Sequence, residues 1–294
     1  PPIWTFEQHA PRPVRIDANY QQEHPPADAP SFGIVTPNYN SGHFLAATID
    51  SVLAQNYPSL KYYVHDGGST DSSCDVLRSY GARLTWRSER DNGQADAINR
   101  GFVEIGDCDI MGYLNSDDVL LSGTLAYVAN AFKTRPDVDV VYGHRIFVDR
   151  DGEEIGRAVL PPHDAAALCW ADYVPQETMF WRRRVWEAVG PIDDTFHYAL
   201  DWDFILRAQL KLRNHNSGIQ FRSEAKPNWV VQGLQADAAE GNWWGSIYDE
   251  KGKRGVLVNG WKGKGEKLVR PNDWNDYEIT CQGEKIQIRL NGEV

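Results

Sequence analysis

The sequence predicts an α/β protein with a parallel sheet in its body and a smaller β-rich part at its carboxyl end. Three observations carry this. First, short apolar runs alternate with helical patterns from residue 32 onward, the signature of right-handed βαβ units. Second, four of those runs end in polar or acidic loops: Thr36–Asn40, Asp66–Asp71, Asp91–Asp96 and Asn115–Asp118. The carboxyl ends of parallel strands share one edge, where such sheets take ligands. Third, beyond residue 212 the pattern changes to β-rich segments separated by Gly, Asn and Asp.

A chain of 294 residues has room for one large domain or two ordinary ones. The divisions read as an irregular lead-in over 1–30, an α/β domain over 31–211 and a β-rich part over 212–294. A net charge of −11 argues against a nucleic-acid partner, which asks for a basic face. The four cysteines are scattered with no metal spacing, and read as free thiols of a reducing compartment. No signal peptide and no apolar run long enough to span a membrane is expected.

In chain order, residues 1–30 are rich in Pro, Gln and charge, with Trp4 and Phe6 as anchors. Phe32–Thr36 is a strand and Pro37–Gly42 a loop. A helix over about 43–55 follows, from the spacing of Phe44, Ile49, Val52 and Leu53. The strand Lys61–His65 ends in Asp66-Gly-Gly-Ser-Thr-Asp71, whose glycines let backbone approach a ligand. Ser69, Thr70 or Asp71 can cap the next helix. A third strand, Arg83–Arg87, leads through Arg90–Asn99 into a helix.

The fourth strand, Asp109–Leu114, stops at Asn115-Ser-Asp-Asp118. Adjacent carboxylates are hard oxygen ligands suited to Mg²⁺ or Mn²⁺ carrying a diphosphate. The plainer alternative is that Asp118 caps a helix over about 121–133. Neither a dinucleotide fingerprint nor a P-loop is present, which argues against a dehydrogenase or a P-loop enzyme.

Further on, Val138–Gly143 reads as a fifth strand. Arg145–Asp149 and Glu154–Ala158 flank an Arg150-Asp-Gly152 turn as a hairpin, and residues 163–171 read as helical. Arg182–Val189 is a short helix stopped by Gly190-Pro. Arg182, Arg183 and Arg184 read as a solvated basic face rather than diphosphate ligands. Asp193–Asp203 leads into a last helix, where Asp201 at a capping position points its carboxylate out of the helix start.

From Ser31 to about Leu210 these motifs together resemble the inverting family-2 glycosyltransferases of GT-A fold, a Rossmann-like mixed sheet flanked by helices. The resemblance runs through Ile34-Val-Thr-Pro-Asn-Tyr-Asn40, Thr48-Ile-Asp-Ser-Val-Leu-Ala-Gln55, Asp66-Gly-Gly-Ser-Thr-Asp71, Asp91-Asn-Gly-Gln-Ala-Asp-Ala-Ile-Asn99, Leu114-Asn-Ser-Asp-Asp118 and Asp201-Trp-Asp203. It implies a nucleotide-diphospho-sugar donor, a UDP-sugar first, and a hydroxyl acceptor on a glycan or lipid-linked carrier. The nucleotide-binding residues it implies are Thr36, Asn38, Asp66, Asp91, Gln94, Asp96 and Ser116. Asn115, Asp117 and Asp118 would hold a divalent metal, Mn or Mg. Asp201 would be the catalytic base, with Gln176, Thr178 and Trp202 on the acceptor side. Gly67 stands where many relatives carry a second acid, so the base contact rests on Asp66. The location implied is cytoplasmic, with peripheral attachment at the inner face of the membrane open.

Past Leu210 the resemblance changes. Asn216–Arg222, Gly233–Asp237, Trp244–Asp249, Arg254–Leu257 and Trp274–Ile279 resemble the 3-keto-disaccharide hydrolase type of concanavalin-like β-sandwich. That implies carbohydrate contacts at Gln235, Asp237, Trp244 and Tyr248. The tail tryptophans Trp229, Trp243, Trp244, Trp261 and Trp274 read either as stacking platforms or as sandwich core. The alternative function is therefore a carbohydrate-binding or glycoside-hydrolase-type module behind an impaired transferase. Phe204–Arg213 is the seam: helix when read from Asp201, strand when read from the tail. Ile205, Leu206 and Leu210 keep helical spacing and favour helix to about 210.

Overall fold

The computed structural model describes residues 5–16, 24–212, 218–225, 231–237, 244–250, 252–258, 264–270, 275–282 and 285–293. The chain divides into two compact units, Pro1–Leu212 and Arg213–Val294.

In the first unit the lead-in is not irregular. Thr5–Arg12 forms strand β1. It pairs antiparallel with a strand Glu154–Val159 (β8 below), which pairs in turn with Arg145–Val148 (β7). The sequence hides β1 because its side chains are mostly exposed and carry no alternation. What holds it is Glu154, whose fully buried carboxylate takes His9 Nε2 at 3.0 Å, Arg12 Nη2 at 2.8 Å and Arg157 Nη2 at 2.6 Å. Those partners keep its carboxyl far below the ordinary value, Arg157 most of all. Phe6 anchors as expected, packed edge-on against Phe147 at 5.2 Å. Trp4 lies outside the described residues.

Six strands form the main sheet: β2 (Phe32–Asn38), β3 (Leu60–Asp66), β4 (Thr85–Ser88), β5 (Ile110–Tyr113), β6 (Val140–Val141) and β9 (Phe180–Arg182). Their spatial order is β4-β3-β2-β5-β9-β6. The first four are parallel, and β9 runs antiparallel to β5 and β6. The winding reverses between β2 and β5, which makes their carboxyl ends the switch point of the sheet.

Every residue of β2 is buried, because helices cover both faces. Alternate residues feed two cores. Val35, Tyr63, Met111 and Tyr113 meet the helices Gln94–Ile105, Arg183–Val189 and Leu200–Leu212. Phe32, Ile34, Tyr62 and Val64 meet the helices Gly42–Leu53, Ser73–Ser79 and Thr124–Thr134. Gly101 lets its helix lie close on the sheet, since a Cβ there would come within 2.4 Å of Val35 Cγ1.

Several local readings are corrected. Val138–Gly143 shrinks to the two residues of β6, and 163–171 to the turn of helix Ala165–Leu168. The strand placed at Arg83–Arg87 begins at Thr85 behind a 3-10 turn, Gly81–Arg83. The helix after the paired acids starts at Thr124 behind Gly123, so Asp118 does not cap it. The three arginines are tied down: Arg182 to the carbonyls of Val138 and Phe132, Arg183 to Gly106 and Glu187, and Arg184 to Asp139.

The seam is helix. Leu200–Leu212 buries Leu200, Phe204, Ile205 and Ala208 in the first core, and Arg207 binds Asp203 and the Val189 carbonyl.

In the second unit, β10 (Gly218–Ala225), β11 (Val231–Asp237), β12 (Ile247–Glu250) and β13 (Val256–Val258) form an antiparallel meander. β14 (Tyr277–Gln282) and β15 (Lys285–Leu290) form a separate pair. Asn291 and Gly292, with φ of 52° and 84°, make a tight turn, closed by hydrogen bonds between Leu290 and Glu293. Gln235 lies opposite Tyr248 in register, but the side chains of Gln235 and Asp237 lie outside the described set, as do Trp229, Trp243, Trp261 and Trp274. Trp244 is half-buried, its ring 6.2 Å from that of Tyr277. No helix among the described residues is long and apolar enough to cross a membrane.

Candidate active site

Two clefts open at the carboxyl edge of the main sheet. The first, of about 730 Å³, is lined by Asn38, Tyr39, Gly67, Gly68, Arg90 and Asp91, and by Gln94, Asn115, Ser116 and Asp117. The second, of about 1230 Å³, holds Asp118, Arg145, Gln176, Glu177, Thr178 and Asp201 among its walls. Gln94, Asn115 and Asp117 line both.

The sequence builds the first cleft by lacing the loops after β2 and β3 together. Asn38 Nδ2 donates to Asp66 Oδ1 at 2.6 Å, and the Gly67 amide donates to the Asn38 carbonyl at 2.9 Å. Asn40, in the left-handed region at φ 51°, accepts the Thr70 amide at 2.9 Å. Asp71 accepts the first amides of two helices, Gly42 at 2.9 Å and Ser73 at 2.9 Å, so one carboxylate satisfies both starts.

Asp66 is spent on this lacing. It is fully buried and also accepts the Ser69 amide at 3.0 Å, the Ser69 hydroxyl at 2.5 Å and the Ser88 hydroxyl at 2.5 Å. Burial pushes its carboxyl up, but these hydrogen bonds outweigh it and hold it below the ordinary value. It does not line the cleft. Nor does Thr36, whose hydroxyl lies 3.0 Å from that of Tyr62 in the core. Asp96 instead accepts the Asn92 amide at 2.9 Å and pairs with Arg100 at 2.8 Å, fixing the loop that carries Asp91.

The helix Gly42–Leu53 and the residues after it carry the turn that presents the paired acids. Thr48 donates to the Asp118 carbonyl at 2.8 Å, Ser51 accepts the Leu120 amide at 3.0 Å, and Gln55 bridges Leu121 and Leu125. Those three residues are polar positions of the Thr48–Gln55 motif, whose fourth, Asp50, accepts the Tyr80 hydroxyl.

A row of amides crosses between the clefts. Gln94 Nε2 donates to Asn115 Oδ1 at 2.6 Å, Asn115 Nδ2 to Gln176 Oε1 at 3.0 Å, and Gln176 Nε2 to the Tyr113 carbonyl at 2.6 Å.

The second cleft is strongly acidic. Burial first, then Glu177 and Asp117, push the Asp118 carboxyl up to about 7, against the opposing pull of Arg145. Burial and Asp201 push Asp172 up to about 6. Burial also raises Asp201, with Glu177 adding to it, and the Trp202 and Asp201 amides and Arg145 opposing. Arg145 itself is bound in a two-point pair with Glu177, at 2.5 and 2.9 Å.

Glu177, Arg145, Tyr39 and Arg90 are wall residues that the sequence reading passed over. Glu177 is hidden because Val174-Pro-Gln-Glu-Thr-Met-Phe-Trp181 resembles the family's acceptor-side strand, in which Gln176 and Thr178 would face the site and Glu177 would not. They form a 3-10 turn, Gln176–Thr178, and only Phe180–Arg182 is strand. Thr178 hydrogen-bonds Pro175 and Gly143. Trp202 turns away from the acceptor side: its indole donates to the Leu168 carbonyl at 2.7 Å and its ring packs on the core.

Among the described residues no three His, Cys, Asp or Glu side chains converge on one point as a metal cage. The donor set is nonetheless that of a hard cation that keeps one or two carboxylates and shares the rest with phosphate oxygens. Burial raises the Asp118 carboxyl most, and Glu177 and Asp117 add to it, a crowding of carboxylates that a bound cation would relieve.

Comparison with known proteins also divides the chain in two, at a boundary that precedes the one between the compact units. Residues 33–195 match the model of glycosyl transferase family 2, and residues 197–294 match that of the 3-keto-alpha-glucoside-1,2-lyase-like domain. Asp201 falls in the second span, although its helix packs in the first unit. A PGL/p-HBAD biosynthesis glycosyltransferase of Mycobacterium bovis is 30% identical over 184 residues, which are 61% of this chain and 70% of the relative. The mannosyltransferase PcManGT of Pyrobaculum calidifontis, solved with GDP-Man and Mn²⁺, is 22% identical with a TM-score of 0.46, over 65% of this chain and 57% of that one. TarS 1-349 of S. aureus with UDP is 19% identical with a TM-score of 0.48, over 62% and 55%. This chain thus spans little more than half the length of either solved chain. The mixed sheet with its flanking helices is the GT-A fold read from the sequence, and with more than half of its length matched to the family model, the chain belongs to glycosyl transferase family 2.

Proposed function

We propose that the first unit is a metal-dependent inverting glycosyltransferase that moves a sugar from a nucleotide-diphospho-sugar, a UDP-sugar first, to an acceptor hydroxyl. The observation that carries this is the sharing of Gln94, Asn115 and Asp117 between the two clefts. A donor in the first cleft places its diphosphate at Asp117 and its sugar toward Asp201. The acceptor oxygen attacks the anomeric carbon as the bond to the diphosphate oxygen breaks. The acceptor proton passes to the Asp201 carboxylate, and the bonding pair leaves with the diphosphate. A divalent ion held by Asp117 and Asp118, with Asn115 beside them, would neutralise the charge gathering on that leaving group.

The test is calorimetric titration of UDP with and without Mn²⁺, on the wild type and on Asp117→Ala. Binding that needs Mn²⁺ and is lost in the variant supports the reading. Equal binding by both proteins, or none of UDP, GDP or dTDP by the wild type, sinks it.

The acceptor side favours a partly apolar molecule. Val119, Tyr127, Val148, Val159 and Tyr198 are all exposed, Tyr198 at 88%, and all line the second cleft. Exposed apolar side chains gathered in one concavity mark a binding surface. Acceptors with an alkyl or aryl aglycone are expected to be used with a KM about tenfold or more below that of the free glycan. Equal KM values for the two would overturn the assignment.

A further inference from the structure

We infer that the Asp91 carboxylate, lying over Gly67, is the group that reads the nucleobase, and that it selects a base presenting a ring N–H, as uracil does. The inference rests on the proposed nucleotide site.

The geometry singles out Asp91. A Cβ built on Gly67 would lie 2.8 Å from Asp91 Oδ2 and 3.1 Å from Oδ1. The carboxylate thus occupies the space that a side chain at 67 would fill. Asp91 Oδ1 accepts the Gly93 amide at 3.0 Å. Oδ2 has no hydrogen-bond donor among the described residues, since His65 Nε2 behind it stands off at 3.7 Å. His65 is buried with both ring nitrogens unpartnered. Burial lowers its pKa despite the opposing pull of Asp91, so it is a weak competitor for that oxygen. Asp91 is 13% exposed and lines the first cleft, unlike the saturated Asp66.

Two more wall residues fit a base. Asn38 also lines the cleft, and its Oδ1 is buried without a partner. Tyr39 offers a 65% exposed ring for stacking. The unfilled Asp91 Oδ2 on this wall calls for a ligand edge that donates. The N3–H of uracil does so, whereas N3 of cytosine is itself an acceptor and would face the carboxylate unpaired.

The experiment measures the ratio of UDP to CDP affinity, with Mn²⁺ present, in the full chain. The wild type is expected to prefer UDP by tenfold or more. Asp91→Asn should bring the ratio close to one, because its amide can donate to cytosine N3. Gly67→Ala should lower the ratio without touching any ligand, by pushing the carboxylate aside. Only the end of a flexible side chain has to move, so this variant keeps its fold. The exchange Gly67→Asp with Asp91→Gly should restore a preference for UDP. A wild-type preference that persists in Asp91→Asn overturns the inference. Should that variant not fold, persistence in Gly67→Ala does the same. A wild type that binds UDP and CDP equally overturns the inference alone. A wild type that binds no nucleotide overturns the proposed function, and this inference with it.

Discussion

Asp201→Asn is expected to lower the rate of sugar transfer by about two to four orders of magnitude while UDP binding stays within about twofold of wild type. The residue stands at the start of Leu200–Leu212 and lines the second cleft, whereas Asn38 and Tyr39 line the first. Asn keeps the size and can still accept from backbone amides, but it takes no proton. The pH profile separates base from scaffold. Burial raises Asp201 above an ordinary carboxylate, so the wild-type kcat should fall on the acid side at a higher pH than an exposed aspartate would give. That acid limb should be missing from the residual rate of the variant. A variant that keeps a tenth of the rate, or the same acid limb, would remove Asp201 from the chemistry.

The second large effect is on stability without metal. In EDTA, the wild type should lose more stability as the pH rises from about 4 through about 7 than Asp118→Asn does, since Asp172 and Asp201 still contribute in the variant. The sign follows from Asp118: its carboxyl is pushed up to about 7 in the folded chain against an ordinary 3.8. The folded state therefore binds more protons across that window, and each rise in pH favours unfolding. Partial exposure moderates the effect to ~2 kcal/mol, or several degrees in Tm. Adding Mn²⁺ at pH 8 should stabilise the wild type more than Asp118→Asn, because only the wild type offers both carboxylates. Parallel pH profiles of Tm for the two proteins in EDTA would show that the acidic wall is not strained in this way.

The sheet and its crevice were legible in the sequence because buried parallel strands leave continuous apolar runs that stop at polar loops. Asn115, Asp117, Asp118 and Asp201 were legible for the same reason: strand and helix ends fix where they face. What was lost had two physical causes. Thr36, Asp66 and Asp96 have the chemistry of ligand residues, but the Thr36 hydroxyl is consumed in the core by Tyr62 and the two carboxylates in holding loops, and such internal hydrogen-bond demand leaves no mark in a sequence. Glu177 and Arg145 meet across 32 positions of chain through a 3-10 turn that breaks the two-residue alternation. Strand β1 was invisible because its anchor is Glu154, a single buried acid far along the chain.

The amide row from Gln94 to the Tyr113 carbonyl has a direction. A backbone carbonyl can only accept, so Gln176 must donate at that end and offer its oxygen to Asn115. Asn115 must then offer its own oxygen to Gln94. The orientation of each side chain is dictated by the one before it, and none can turn over alone without setting two like atoms face to face. The polarity of Gln94, on the wall of the donor cleft, is thus set from beneath the acceptor cleft by one main-chain oxygen at the end of β5.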